Sequence, residues 1–216
     1  VKGVVQNINN NPDNVVLSEE FQVLAGSPHM EEHLCGMKFA VSAASFFQVN
    51  PAQAEQLYAK VLEFAELSGE ETVLDAYCGV GTLSLIFAAK TKTVLGVECI
   101  PQAVEDAKEN ARLNGLTNVA FICDQAEIWI KQAPAADLVL LNPPRKGCDP
   151  IFLEELVRLS PNKIIYISCD PATLARDLAF LVKNNYTIKT VQPLDMFPQT
   201  AHVECVVQIK KNQVEK

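Results

Sequence analysis

The sequence lacks the features that mark membrane, metal-binding and disulfide-rich proteins. Its 216 residues contain no signal peptide and no apolar run of the roughly 18 residues that a membrane-spanning helix needs. The seven cysteines stand singly and form no Cys-x-x-Cys pair, so we expect no zinc or iron–sulfur site and no bound metal. An odd number of cysteines without a disulfide framework is typical of a reducing compartment. We therefore predict a cytoplasmic protein that does not associate with membranes.

Positive charge is also scarce. The chain has 18 Lys and Arg against 26 Asp and Glu, which gives a net charge of −8. Because phosphate binding rests largely on Lys and Arg, strong nucleic-acid affinity is not expected of this chain alone. A nucleic-acid substrate would have to meet a local basic patch or be held by another domain. The chain starts at Val1 rather than Met, and we expect it to be a monomeric fragment of a longer protein.

The apolar pattern predicts an α/β fold. Residues 1–50 carry β-type runs at 4–5, 15–17, 21–24 and 37–41 and an Asn-rich turn signal at 7–14, which predict a small β-rich lead-in. Residues 51–212 form the second predicted domain, in which strand-like runs alternate with helical patterns. Near-continuous Val/Ile/Leu strands separated by helices favour a parallel sheet covered on both faces. We predict a mostly parallel seven-stranded sheet that ends in an antiparallel hairpin.

The predicted boundaries follow from hydrophobic periodicity and from Pro and Gly positions. A first helix is expected from residue 53, ending before Gly69. Strands are predicted at 72–77, 93–98, 119–123, 137–141 and 163–168, followed by 186–192 and 203–209 for the hairpin. Helices are predicted near 81–90, 101–114, 125–132, 149–159 and 171–183.

Glycines and carboxylates follow the first two strands of the predicted sheet at the edge where open α/β sheets bind ligands. Asp75 precedes Gly79 and Gly81, whose missing Cβ atoms let the backbone turn tightly and approach a ligand. A dinucleotide fingerprint would need Gly or Ala at position 84, which is Ser84. The loop resembles the adenosylmethionine-binding loop of Rossmann-like methyltransferases, and Glu98 is placed to accept both hydroxyls of a ribose. A flavin- or nicotinamide-binding sheet, or a glycine turn without a ligand, stays an alternative.

A second polar group follows the fourth strand. Pro143 and Pro144 prevent a helix there and stiffen the chain, which would hold the Asn142 amide over the ligand edge. The tetrapeptide resembles the Asn-Pro-Pro-aromatic motif of amino-group methyltransferases, although Arg145 stands where that motif has an aromatic residue. Methylation of an amino group is therefore one rival interpretation, and a turn with a structural Asn is another.

Cys169 is the candidate nucleophile. It follows the apolar run 163–167 and precedes Pro171, which suits the first turn of a helix. A thiol at such a junction lies near the positive end of the helix dipole, which favours the thiolate. A single cysteine at a strand end is also commonly a small buried hydrophobe. On the last strand, His202 and Glu204 would share a face, so His202 could orient a Glu204 base.

Five segments of the chain together resemble, in order, the motifs of the RNA uracil-5-methyltransferase family, which makes 5-methyluridine in ribosomal or transfer RNA. They lie at 46–50, 75–81, 142–147, 168–177 and 197–204. The resemblance implies that Cys169 is the nucleophile and that Glu204 accepts the proton. It also implies that Gln48, Tyr77, Glu98 and Asn142 bind S-adenosyl-L-methionine. Thr82 and Asp124, with its neighbour Gln125, are further candidates for this binding.

The resemblance also bears on the substrate. Many relatives carry Asp where Asn142 stands, and a ribosomal-RNA branch is similar in using Asn, so 23S rRNA is the expected target, with tRNA as the alternative. Relatives usually carry an N-terminal RNA-binding β-barrel and, in some, an iron–sulfur cysteine cluster, and this chain has neither. The function rivals are an N-methyltransferase and an RNA-binding module with an inactive site.

Overall fold

The computed structural model describes residues 1–10, 17–18 and 20–212. The N-terminal part forms two antiparallel hairpins, which pair β1 with β2 and β3 with β4. Their strands are β1 (Gly3–Asn7), β2 (Phe21–Gly26), β3 (His29–Leu34) and β4 (Met37–Ser42). The β-rich character of the lead-in matches the sequence prediction. The predicted turn at 7–14 and the run at 15–17 fall mostly outside the described residues.

The remaining strands form one seven-stranded sheet in the order β10-β11-β9-β8-β5-β6-β7. Five of them run parallel, and β11 lies antiparallel between β9 and β10, so the predicted sheet and closing hairpin are confirmed. The strands are β5 (Thr72–Asp75), β6 (Thr93–Glu98), β7 (Val119–Cys123), β8 (Leu138–Leu141), β9 (Lys163–Ser168), β10 (Tyr186–Leu194) and β11 (Glu204–Lys211).

Three helices cover each face of this sheet, and both layers are apolar. The buried residues of α1, α2 and α3 pack on one face, and those of α4, α5 and α6 pack on the other. The helices are α1 (Pro51–Ala65), α2 (Thr82–Ala88), α3 (Pro101–Leu113), α4 (Ala126–Trp129, continued by a 3₁₀ turn to Gln132), α5 (Pro150–Leu159) and α6 (Pro171–Lys183). In the described ranges, no helix has the length and apolar character to cross a membrane.

The chain reverses its direction of winding at β5, which lies between β6 and β8. It moves outward through β6 and β7 and then returns to β8 on the other side of β5. Such a switch point leaves a crevice outside the carboxyl ends of the parallel strands. The glycine loop after β5 and the Asn-Pro-Pro segment after β8 therefore face each other.

Candidate active site

A cleft of about 1040 Å³ opens at the carboxyl ends of the parallel strands. It brings together seven of the eight site residues predicted from the sequence: Gln48, Tyr77, Thr82, Glu98, Asn142, Cys169 and Glu204. Asp124 follows β7 but does not line the cleft, and its Oδ1 accepts a hydrogen bond from the backbone N–H of Gln125 at 2.8 Å. Gln125 takes that place in the cleft wall.

The glycine loop has the backbone shape that the sequence predicts. Gly79 and Gly81 both lie in the left-handed region, with φ of 54° and 83°. A Cβ on Gly79 would meet no atom within 4 Å, so the loop leaves open space there on the cleft side. A Cβ on Gly81 would lie 2.9 Å from the Leu85 side chain and 3.0 Å from the Phe121 ring, so only glycine fits.

Glu98 both closes the loop and faces the cleft. Its Oε2 accepts from the Gly79 N–H at 3.0 Å, and its Oε1 accepts from the Ile100 N–H at 3.0 Å. Its Oε1 also accepts from the Cys99 thiol at 3.4 Å, whereas Oε2 accepts only the one bond and keeps acceptor capacity for a ligand hydroxyl. The role predicted for Glu98 toward a ribose is therefore shared with a role in holding the loop.

Asp75 is the most unusual carboxyl group of the cleft. It is fully buried, and Ser84 donates to its Oδ2 at 2.7 Å, while its Oδ1 has no hydrogen-bond partner among the described residues. Burial raises the pKa of Asp75 to about 6, against the opposing hydrogen bond from Ser84 and with a contribution from the Glu98 charge. A buried carboxyl group with an unused oxygen, next to a second carboxylate, favours a cationic ligand. The site therefore fits the ammonium and sulfonium charges of S-adenosyl-L-methionine.

Cys169 and Glu204 meet at the other end of the cleft through strand pairing. Strand β11 runs antiparallel to β9 with Cys205 opposite Ser168, so Glu204 and Cys169 are the next residues at the same end of the ladder. Cross-strand neighbours of this kind lie on one side of a sheet. Cys169 is partly exposed and Glu204 is 8% exposed, and both line the cleft.

Cys169 directly precedes the cap of α6, as predicted, and one expectation about its neighbours needs correction. Asp170 caps the helix, since its Oδ1 accepts from the N–H groups of Ala172 and Thr173 at 2.9 Å. His202 does not share a face with Glu204, because β11 begins only at Glu204. His202 is exposed outside the cleft lining and stacks edge-on against Phe197 at 6.3 Å.

The electrostatics of Glu204 suit a base. Burial raises its pKa above the ordinary glutamate value, while the nearby charge of Arg145 opposes that rise. A carboxylate that holds a proton more tightly than usual is a better proton acceptor at neutral pH. Glu204 is therefore suited to accept a proton within the cleft that Cys169 also lines.

The other wall residues differ in how firmly they are held. The Tyr77 hydroxyl donates to Glu127 at 3.3 Å, and its ring packs against Phe152 with 5.5 Å between centroids. Among the described hydrogen bonds, none involves the Asn142 amide, which leaves its donors and acceptor to a ligand. Tyr58 of α1 also lines the cleft, although the sequence analysis did not predict it, and burial raises the pKa of its phenol.

The cleft mouth carries a local basic patch, one of the two ways in which the sequence would allow a nucleic-acid substrate to bind. Lys131, Arg145 and Lys146 are exposed at the rim, and no ion pair in the described part of the chain includes them. Arg176 lies nearby and donates to Asp177 and to the backbone oxygens of Lys146 and Cys148. It is exposed to solvent but does not line the cleft, and its hydrogen bonds hold the loop that contains Lys146 and Cys148.

The sequence matches two known families. The profile described as the TRM5/TYW2 methyltransferase domain matches residues 29–168, which is more than half of the chain. The chain belongs to this family. The profile of tRNA (uracil-5-)-methyltransferase matches residues 130–212, the part that contains Asn142, Cys169 and Glu204. The TRM5/TYW2 match confirms the methyltransferase class predicted from the cleft residues.

The curated relatives that the chain matches include uncharacterized RNA methyltransferases. An uncharacterized RNA methyltransferase of Bacillus cereus is 49% identical over 214 residues, covering 97% of this chain and 47% of that protein. One of Clostridium acetobutylicum is 47% identical over 215 residues, covering 98% and 47%. The chain thus spans about half the length of the curated relatives it matches.

Two solved structures share the fold. The Pyrococcus abyssi tRNA (uracil-54, C5)-methyltransferase, in complex with S-adenosyl-L-homocysteine, has a TM-score of 0.80 and 31% identity, covering 96% of this chain and 50% of that one. Trm5b from Pyrococcus abyssi has a TM-score of 0.73 and 18% identity, covering 99% and 65%. The predicted Rossmann-like methyltransferase fold is therefore confirmed.

Proposed function

We propose that this TRM5/TYW2-family domain transfers a methyl group from S-adenosyl-L-methionine to carbon 5 of a uridine in RNA. The proposal rests on one observation: Cys169 directly follows β9, Glu204 begins the paired strand β11, and both line the same cleft as the glycine loop. A thiol and a raised-pKa carboxylate beside a cationic-ligand site suit covalent catalysis on a pyrimidine. The match of residues 130–212 to the tRNA (uracil-5-)-methyltransferase profile supports it.

The cofactor would lie between Asp75, Glu98 and the glycine loop, with Gln48, Tyr77 and Asn142 completing the walls. Asp75 Oδ1 offers an unused acceptor to a positive group, and Glu98 offers acceptors to hydroxyls. When bound, S-adenosyl-L-methionine supplies an electrophilic methyl group. The tRNA (uracil-54, C5)-methyltransferase of Pyrococcus abyssi holds the corresponding product, S-adenosyl-L-homocysteine.

Carbon 5 of uracil is too weak a nucleophile to accept a methyl group unaided. The Cys169 thiolate forms a bond to carbon 6, and the electron pair of the ring double bond moves toward carbon 5 and the carbonyl oxygen at carbon 4. Once carbon 5 carries the methyl group, Glu204 takes the proton that remains there. The electron pair of that C–H bond restores the double bond, and the Cys169 sulfur leaves carbon 6 as a thiolate.

The rim cations give the RNA a place to bind. Lys131, Arg145 and Lys146 surround the cleft mouth and can meet phosphates on either side of a uridine that has left its stack. A loop or bulge lowers the cost of extruding the base, so a structured RNA with single-stranded uridines is the expected substrate. We propose 23S rRNA as the target, and the names of the solved neighbours make tRNA the alternative.

Methylation of a ring or amino nitrogen is the second candidate. The free amide of Asn142 could recognise a base edge, and a solved neighbour at 18% identity is named a tRNA m1G37 methyltransferase. Such a reaction needs no covalent bond to cysteine, so the two candidates differ in whether Cys169 has a chemical role.

Incubation with 5-fluorouridine RNA and S-adenosyl-L-methionine separates the two candidates. Fluorine at carbon 5 cannot be removed as a proton, so a cysteine mechanism traps a stable protein–RNA adduct visible as a shifted band on a denaturing gel. We expect the adduct in the wild type, none in Cys169→Ala, and an adduct in the control Cys99→Ala, whose thiol lies in the same cleft. A wild type that methylates RNA without an adduct would favour the nitrogen reaction.

Mapping 5-methyluridine identifies the RNA. We expect that deleting the gene removes one 5-methyluridine from 23S rRNA and leaves tRNA unchanged. Loss from tRNA alone would replace the ribosomal target by the transfer-RNA target. Loss from neither RNA would contradict the proposed reaction.

A further inference from the structure

Helix α3 carries a row of polar side chains that bind the backbone of the lead-in hairpin. Asp106, Asn110 and Asn114 are spaced four residues apart and therefore lie on one face of the helix. Asp106 accepts from the N–H of Ser42 at 3.1 Å, and Asn110 accepts from the N–H of Ala40 at 2.7 Å. Asn114 both accepts from the N–H of Lys38 at 3.0 Å and donates to its carbonyl oxygen at 2.7 Å. These side chains thus bind the backbone groups along one edge of β4, as a neighbouring strand would.

Asn110 differs from Asn114 in that it also reaches the glycine loop. It is fully buried, and its amide donates to the carbonyl oxygen of Val80 at 3.1 Å. Val80 stands between Gly79 and Gly81 and lines the cleft. One buried side chain therefore links the loop on one wall of the cleft to strand β4, which leads into the segment 46–48 on the other wall.

Asp106 holds the start of that other wall. Its Oδ2 accepts from the Ser45 hydroxyl at 2.8 Å as well as from the Ser42 N–H. Ser45 immediately precedes Phe46, Phe47 and Gln48, which line the cleft. Asp106 is 3% exposed, so its contacts are shielded from water and well suited to fix this segment.

We propose that Asn110 and Asp106 are positioning residues that set the spacing between the glycine loop and the 46–48 segment, and thereby the affinity for S-adenosyl-L-methionine. The lead-in hairpin then serves as part of the cofactor site, and α3 is the element that couples the two. The inference rests on the proposed function, since it concerns the cofactor of that same cleft. Neither residue lines the cleft, so their effect passes through Val80 and Ser45.

The test compares Asn110→Ala with Asn114→Ala, because both remove two hydrogen bonds between α3 and the rest of the chain. We expect Asn110→Ala to weaken the Kd for S-adenosyl-L-methionine about tenfold, measured by titration calorimetry on the purified protein, with kcat preserved at saturating cofactor. Asn114→Ala should keep the wild-type Kd even where its Tm falls by a similar amount. Equal Kd values for the two variants would overturn the inference.

A second pair of variants covers the case in which Asn110→Ala does not fold. In Asp106→Asn the amide oxygen can still accept from Ser42 and Ser45, and only the Oδ1 contacts with Gln102 at 2.9 Å and His29 at 3.7 Å change, whereas Asp106→Ala loses all of these contacts. We expect a near wild-type Kd for Asp106→Asn and a Kd about tenfold weaker for Asp106→Ala. Wild-type affinity in both would overturn the inference. A wild-type protein that does not bind S-adenosyl-L-methionine would instead overturn the proposed function, so the two failures are distinguishable.

Discussion

The substitution Asp75→Asn tests whether burial raises the pKa of the Asp75 carboxyl group in the folded protein. The new amide side chain would be neutral, and its oxygen could still accept from Ser84, which lies 2.7 Å from Asp75 Oδ2. A pKa raised from 3.8 to about 6 means that the folded protein holds the Asp75 proton more tightly than the unfolded chain does. The contribution of Asp75 to stability is therefore fully present below pH 3.8 and is lost as the pH rises through about 6.

The size of the effect follows from the same pKa. A rise from 3.8 to about 6 corresponds to about 3 kcal/mol of unfolding free energy, lost at about 1.4 kcal/mol per pH unit over that interval. Urea unfolding of the wild type and of Asp75→Asn at several pH values gives the difference between their free energies of unfolding. The contributions of distant titrating groups cancel in this difference. We expect this difference to fall with rising pH and to level off at neutral pH. A difference that is constant over the interval would refute the reasoning about Asp75.

Three further predictions address the neighbours of the cleft. Arg145 lowers the pKa of Glu204, so Arg145→Gln should shift the fall of kcat at acid pH to higher pH when kcat is measured over about pH 5 to 8. An unchanged pH dependence would contradict the interaction between Arg145 and Glu204. Asp177→Ala should lower the free energy of unfolding by about 3 kcal/mol in urea, because the buried carboxylate accepts from the Tyr166 hydroxyl at 2.6 Å and from a backbone N–H at 2.8 Å. Gly96→Ala should cost about 1–3 kcal/mol in the same assay, since its Cβ would lie 2.7 Å from the Phe121 ring. Wild-type stability of either variant would show that its surroundings relax freely.

The sheet could be predicted because its strands and helices carry strong local signals. Strands 93–98, 119–123 and 163–168 and helix 171–183 match the structure at every boundary. Each strand is a short apolar run, and the helix begins at Pro171 after the Asp170 cap. Strand β3 was not predicted, because its sequence His-Met-Glu-Glu-His-Leu is mostly polar and forms a strand only by pairing with β4.

The site could be predicted only where one residue type at a strand end carries the chemistry. Glu98, Asn142 and Cys169 were found in this way, since the carboxyl ends of parallel strands converge. Asn110 was not, because its partners Ala40 and Val80 are 70 and 30 residues away along the chain. A polar residue in helix 101–114 looks solvent-exposed until the lead-in hairpin packs against it.

The most direct test of the account follows the bond to Cys169 on ordinary RNA. Glu204→Gln removes the base but leaves the nucleophile, so the variant should stall after methylation with the RNA still attached. Digestion and mass spectrometry of the stalled complex should then place a methylated uridine on the peptide that contains Cys169. A variant that methylates RNA and releases it with no modified cysteine, or that carries the RNA on another residue, would contradict the covalent mechanism.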